Sequence, residues 1–288
     1  MKTVRTVADV RAHVAAVRAA GRSVGLVPTM GAFHGGHHAL MRAARAQCDE
    51  VVVWLFVNPT QFEEASDLAA YPRDEARDAA EAAELGMDVL FAPSIEEVYP
   101  PGFATTVRVE GISDVLEGAE RGPGHFAGVC TVVTKMLNMV APDVAFFGQK
   151  DAQQIAVLRR MVRDLDMPVR LAVIPTVREP DGLALSSRNT RLDAGERRRA
   201  VALSRGLRAA EAAVAAGERD AAAIAAAARA AMDAVEPEYL ALVDPDSFQP
   251  VQNVNGRVLV AVAARIGATR LIDNAIIHTA ATPDGAPT

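Results

Sequence analysis

The chain is poor in the groups that would commit it to redox, zinc or membrane chemistry. It has two cysteines in 288 residues. Cys48 and Cys130 both lie in apolar runs, and no Cys-x-x-Cys pair signals a metal or redox site, so two buried thiols packing as small hydrophobes are expected. No stretch of about 18 uncharged apolar residues is present, which argues against a membrane-spanning helix. The opening MKTVRTVADVRAHV carries charges throughout and lacks the apolar core of a secretory leader. A basic excess is missing too. The net charge is −6, which argues against a nucleic-acid face while leaving room for a local basic pocket for a phosphorylated small molecule. No internal repeat is visible. What remains is 50% hydrophobic and 23% charged, a soluble globular profile, long enough for one large domain or two modest ones. A cytoplasmic enzyme fits this balance.

Through about residue 175, short apolar runs alternate with helical patterns. Strands are predicted at 23–27, 51–57, 88–91, 143–147 and 169–174, and helices at 7–20, 37–47, 73–85, 126–140 and 152–165. Near-continuous Val/Ile/Leu/Phe runs suit parallel strands covered on both faces. The alternation predicts an α/β fold, a doubly wound, Rossmann-like parallel sheet whose ligands bind beyond the carboxyl ends of the strands. After Asn189 the composition shifts. Residues 193–216 and 219–235 read as two Ala-rich helices, with Gly217 as a C-cap between them. Strands at 239–243, 258–263 and 269–273 complete a smaller α+β domain. The expected division is 1–185 and 186–288, with the boundary region at 175–187 and a disordered tail at 281–288.

Three strand ends and one later loop carry polar clusters. The first strand runs into PTMGAFHGGHHAL, where glycines let the backbone approach a phosphate and a helix N-terminus favours anions. His34 and His37 are three apart and can share a helix face, donating to a polyphosphate; the anion favours their charged form and the helix terminus opposes it. Zinc is the alternative, since His-x-x-His spacing can chelate, but no third ligand lies nearby in sequence. His38 reads as structural or a bystander. Past the second strand, Asn58 and Gln61 offer amides to a hydroxyl or carboxylate, or simply form an Asn-Pro turn. Past Gly148, Lys150 supplies a point charge and Asp151 can hold it, bind a ribose hydroxyl or cap the next helix, which leaves a solvated lysine as the plainer reading. One of Gln153 and Gln154 must face the pocket. Finally, Ser186, Ser187 and Arg188 form either a phosphate clamp or a Ser cap beside a surface Arg.

The spacing His34-x-Gly36-His37 after a first strand resembles the nucleotidylyltransferase superfamily. PTMGAFHGGH is more specific and resembles the pantothenate synthetase family, as do FVNPTQF, FFGQKDAQQ, LSSRN, GPGHFAGVCTVV and RLIDNAII. The resemblance runs from about Val24 to Asp273. Departures are Phe33 for Leu, Gly35 for a polar residue, Gln149 for Glu, Leu185 for Met, and Gly122 where an Arg is usual, with Arg121 one residue early. Gly35 is expected to loosen its loop.

The resemblance implies an ATP-dependent ligase joining (R)-pantoate to β-alanine through a pantoyl adenylate. It implies catalytic roles for His37, His34 and Lys150. ATP contacts are implied for Met30, Gly31, Ala32, Phe33, His34, Gly35, Gly36, His37, Gly148, Gln149, Lys150, Asp151, Val177, Leu185, Ser186, Ser187 and Arg188. Gln61, Gln154 and Asn58 are implied for pantoate, with Gln61 also shaping the β-alanine site. His125 and Val133 are further pocket candidates. Mg²⁺ should accompany ATP, bridging phosphates with no dedicated protein cage, although Asp74 or Asp78 could help. No metal ligand is otherwise assigned. The smaller domain is expected to act as a lid over the water-labile adenylate, and a homodimer is implied.

Overall fold

A computed structural model describes residues 1–61, 68–69, 71–122, 124–233 and 235–279, so the tail 281–288 lies outside the described residues. The chain forms two compact units. The first comprises Met1–Gln149 and Gln153–Val177; the second comprises Lys150–Ala152 and the chain from Arg178 onward.

The first unit is built on a six-stranded sheet: β1 (Lys2–Val4), β2 (Val24–Thr29), β3 (Glu50–Leu55), β4 (Val89–Phe91), β5 (Val144–Gly148) and β6 (Arg170–Ile174). Every pairing is parallel, in the order β1-β4-β3-β2-β5-β6. The order reverses at β2 and β5, the switch point where doubly wound sheets open a crevice. β2 pairs with β3 through Thr29, but its pairing with β5 ends at Leu26 and Ala145. Pro28, which cannot donate to a ladder, lies beyond that end. Helices α1 (Val7–Ala19), α2 (Gly35–Gln47), α3 (Glu75–Glu84), α4 (Ile95–Val98), α5 (Glu117–Arg121), α6 (Gly124–Val140) and α7 (Ala152–Asp164) connect the strands. Leu40, Met41 and Ala44 of α2 pack with Ala82 of α3 on Val27, Val51, Val53, Leu90 and Phe146. The alternate register faces the other layer, where Trp54 and Phe91 meet edge-on at 5.0 Å. There α1 packs against α6.

The second unit pairs α8 (Ala194–Ala215) and α9 (Ala221–Ala231) with an antiparallel sheet β7-β8-β9 (Tyr239–Val243, Arg257–Ile266 and Thr269–His278). Asp193 caps α8 by accepting from Gly195 and Glu196 (both 2.7 Å), while Glu196 accepts from the Asp193 amide (3.0 Å). Leu203, Leu207, Ile224, Met232, Val258, Val260 and Val262 form its core.

Candidate active site

The loop after β2 turns through Gly31 (φ 90°) and Ala32 (φ 53°) into α2. Helix α2 starts at Gly35, two residues before the sequence pattern resumes. His34 causes this. It sits at the N-cap in extended conformation, and its Nδ1 accepts the Gly36 amide at 3.1 Å. The His37 Nδ1 in turn accepts the His34 amide at 3.3 Å, the reciprocal arrangement of a capping box built from two imidazoles. Gly35 and Gly36 are therefore helical. Glycine at position 36 has a steric reason: a Cβ there would stand 2.9 Å from the His34 Cε1. The His-x-Gly-His spacing is thus what two mutually capping rings require.

The backbone donors of this loop serve the protein first. The Gly31 amide donates to Thr29 Oγ1 (2.9 Å), Ala32 to Asp78 Oδ2 and Phe33 to Asp78 Oδ1 (both 3.0 Å). Phe33 is 4% exposed and packs in the α2 core, so it fills the position of the usual Leu as an apolar anchor. Because Nδ1 accepts in both histidines, each neutral ring carries its proton on Nε2. The rings lie 4.2 Å apart. Burial, then the neighbouring His34 and His38, pushes the His37 pKa down to about 3. His37 is a neutral N–H donor in the folded chain. His38 has the structural role: its Nε2 lies 2.9 Å from Glu81 Oε2.

Asn58 is 1% exposed. Its Oδ1 accepts from Tyr99 Oη (2.9 Å) and Thr60 Oγ1 (3.0 Å), and its Nδ2 donates to the Gly128 carbonyl (3.5 Å). These bonds fix the single turn Pro59–Gln61, and Gln61 remains half-buried on it. Gly128 of α6 lets that turn approach, since a Cβ there would meet Thr60 Oγ1 at 2.7 Å. Val133 is buried on the same helix, and the His125 ring meets Phe126 at 5.0 Å. Arg121, one residue before Gly122, pairs with Glu117 at 3.1 Å.

The glutamine pair resolves cleanly. Gln153 is 5% exposed and donates to the carbonyls of Ile112 and Val115 (2.7 Å each) while accepting from the Glu117 amide (3.0 Å). It is a structural staple, while Gln154 is half-buried. Val177 is half-buried at the end of the first unit.

In the second unit β9 gathers two of the predicted clusters. Asn274 Nδ2 donates to the Lys150 carbonyl at 2.9 Å. The adjacent Asp273 holds Arg178 by two bonds (2.6 and 3.0 Å), and β9 also packs on the turn Ser187–Arg191. Between these anchors Arg197 of α8 grips Glu179 (2.7 Å) and Asp181 (2.9 Å). The Arg197 hydrogen bond holds the Glu179 carboxyl below its ordinary range. Ser186 caps the turn by accepting the Arg188 amide at 3.3 Å, and Leu185 and Ser187 are half-buried while Arg188 is exposed.

The profile of the pantoate-beta-alanine ligase family matches residues 2–276. The chain belongs to the pantoate-beta-alanine ligase family. A pantothenate synthetase of Moorella thermoacetica is 52% identical over 281 residues, covering 96% of this chain and 99% of the relative. The crystal structure of pantothenate synthetase from Thermus thermophilus superposes with a TM-score of 0.89 at 46% identity, covering 96% of this chain and 99% of that one. A Francisella tularensis pantoate-beta-alanine ligase, solved in complex with beta-gamma ATP and beta-alanine, gives a TM-score of 0.77 at 32% identity, covering 96% and 97%.

In this ligase-family chain the sequence reading passed over Glu81, Tyr99 and Asn274, which hold other residues in place, and named Asp78 only as a magnesium helper. Asp78 left one signal: it falls four residues before the buried Ala82 of α3, so a carboxylate lies on the helix's core side. Both of its oxygens accept loop amides. Asp74 likewise caps α3 through the Arg77 amide (3.0 Å). Among the described residues no group of three or more His, Cys, Asp or Glu side chains is arranged to hold a metal ion.

Proposed function

We propose that this chain condenses (R)-pantoate with β-alanine at the expense of ATP, releasing AMP and pyrophosphate and yielding pantothenate. The observation that carries the site assignment is the His34–His37 pair, fixed as Nε2-protonated donors at the carboxyl end of β2. In the first step the pantoate carboxylate attacks the α-phosphorus of ATP and pyrophosphate leaves. In the second, the β-alanine amine attacks the acyl carbon of the adenylate and AMP leaves. The protein's part is to align an anionic nucleophile with a polyanion and to spread developing charge.

His34 and His37 are assigned to the triphosphate. Lys150, Ser186, Ser187 and Arg188 are assigned to ATP on their chemistry, a mobile point charge and a forked cation flanked by hydroxyls. The amides of Gln61, Gln154 and Asn58 are assigned to pantoate, and Gln61 to β-alanine as well. Mg²⁺ enters as part of the substrate MgATP, held by phosphate oxygens and water, since it prefers these to all-protein cages. Family resemblance supports a cytoplasmic homodimer, which light scattering on the purified protein tests. The decisive assay is pantoate-dependent ATP–pyrophosphate exchange, followed by AMP release on adding β-alanine. AMP-linked product accumulating without any response to β-alanine would instead favour a simple nucleotidylyltransferase.

A further inference from the structure

The loop that carries the histidine pair is held from outside as well as by its own Gly31–Thr29 bond. Gly31 and Ala32 are consecutive residues in the left-handed region, and a side chain at Ala32 (φ 53°) is unfavourable there. What holds them is Asp78 on α3, 2% exposed, whose two oxygens each accept one amide, from Ala32 and Phe33, at 3.0 Å. The fit is close: a Cβ on Gly31 would stand 2.8 Å from Asp78 Oδ2. Three residues on, and on the same helical face, Glu81 meets His38 at 2.9 Å. The two carboxylates therefore grip the chain immediately before His34 and immediately after His37.

We infer that Asp78 is a positioning residue for the ATP step, setting the His34–His37 pair through the Ala32 and Phe33 amides. This rests on the reading that the pair binds the triphosphate. A buried negative charge beneath an anion site is a poor choice on electrostatic grounds alone. Its value is geometric: only a carboxylate accepts both amides at once, and the two N–H dipoles offset its charge. An isosteric amide separates these effects because they act in opposite directions. Asp78→Asn removes a negative charge, which favours ATP, but turns one acceptor into a donor facing an N–H, which distorts the loop.

The test measures pantoate-dependent pyrophosphate release by the full-length Asp78→Asn variant. The KM for ATP should rise about tenfold or more with a fall in kcat, as expected when reacting groups are displaced by a fraction of an ångström to an ångström. The KM for pantoate should stay within about twofold of the parent. An unchanged or lowered KM for ATP, or an equal loss for both substrates, overturns the inference. Amide hydrogen exchange on the unmodified protein gives a readout that needs no variant. Slow exchange at Ala32 and Phe33 is expected, and exchange as fast as in an open loop overturns the brace. His37→Ala is run in parallel. If it leaves the ATP step intact, the reading of the loop fails; if it abolishes the step while Asp78→Asn does not, the brace alone fails.

Discussion

His37 keeps its proton off until the solution is strongly acidic, and this gives it a thermodynamic signature. Its folded pKa is about 3 against an ordinary 6.5, with burial the main cause. The unfolded chain therefore takes the proton first, so stability is full above about pH 6.5 and is drawn down as pH falls toward 3. A His37→Gln variant should lose less of its melting temperature between pH 7 and pH 4 than the parent does; parallel pH profiles would remove His37 as the source. The same neutrality bears on catalysis. A neutral Nε2–H stabilises charge on phosphate by hydrogen bonding, so His37→Ala should slow pyrophosphate release by about 10²-fold, the scale for losing one preorganised donor. Lys150→Ala should cost a similar factor, and near-parent release by that variant would strike Lys150 from the assignment.

At the scale of elements, the approach of α6 to the turn Pro59–Gln61 depends on one missing methyl. Gly128→Ala would press a Cβ onto Thr60. Overpacking of this kind costs about 1–3 kcal/mol, and the displaced turn should raise the KM for pantoate while leaving that for ATP near its parent value. A pantoate KM that does not move would show that the turn relaxes without touching the substrate. The principal strands and helices were legible because their patterns are long: the apolar runs at 51–57 and 169–174 match β3 and β6 within two residues at each end. The three-residue β1 and the short α4 and α5 were not, since they are too brief to show a period. Helix α2 starts early because His34 caps with a ring rather than a Ser or Asp. β8 runs past 263 toward the hairpin, and β9 runs past Asp273, where Asn274 to His278 pair with Ala261 to Arg257. The chemistry-bearing residues of the site were readable as local motifs. Their supports were not, because Asp78 reaches its amides across 45 and 46 residues and Asn274 reaches Lys150 across 124.

For the molecule as a whole, each unit has its own sheet and its own buried cluster. All six parallel strands and their covering helices α1–α7 lie within residues 1–177. A chain ending at Val177 should therefore unfold cooperatively, yet it should show no pantoate-dependent exchange, having lost Ser186, Ser187 and Arg188. Circular dichroism and the exchange assay check the two halves of that statement separately. A truncated chain without a cooperative transition would mean that the first unit borrows its stability.

The mutual capping of His34 and His37 also decides what the pair will refuse. To ligate zinc through Nε2, each ring must move its proton to Nδ1, where it would face the Gly36 or His34 amide head-on. Chelation thus costs both capping bonds and the first turn of α2. A pair of histidines at chelating spacing is in this way kept from being poisoned by trace metal, without any residue being spent on guarding it.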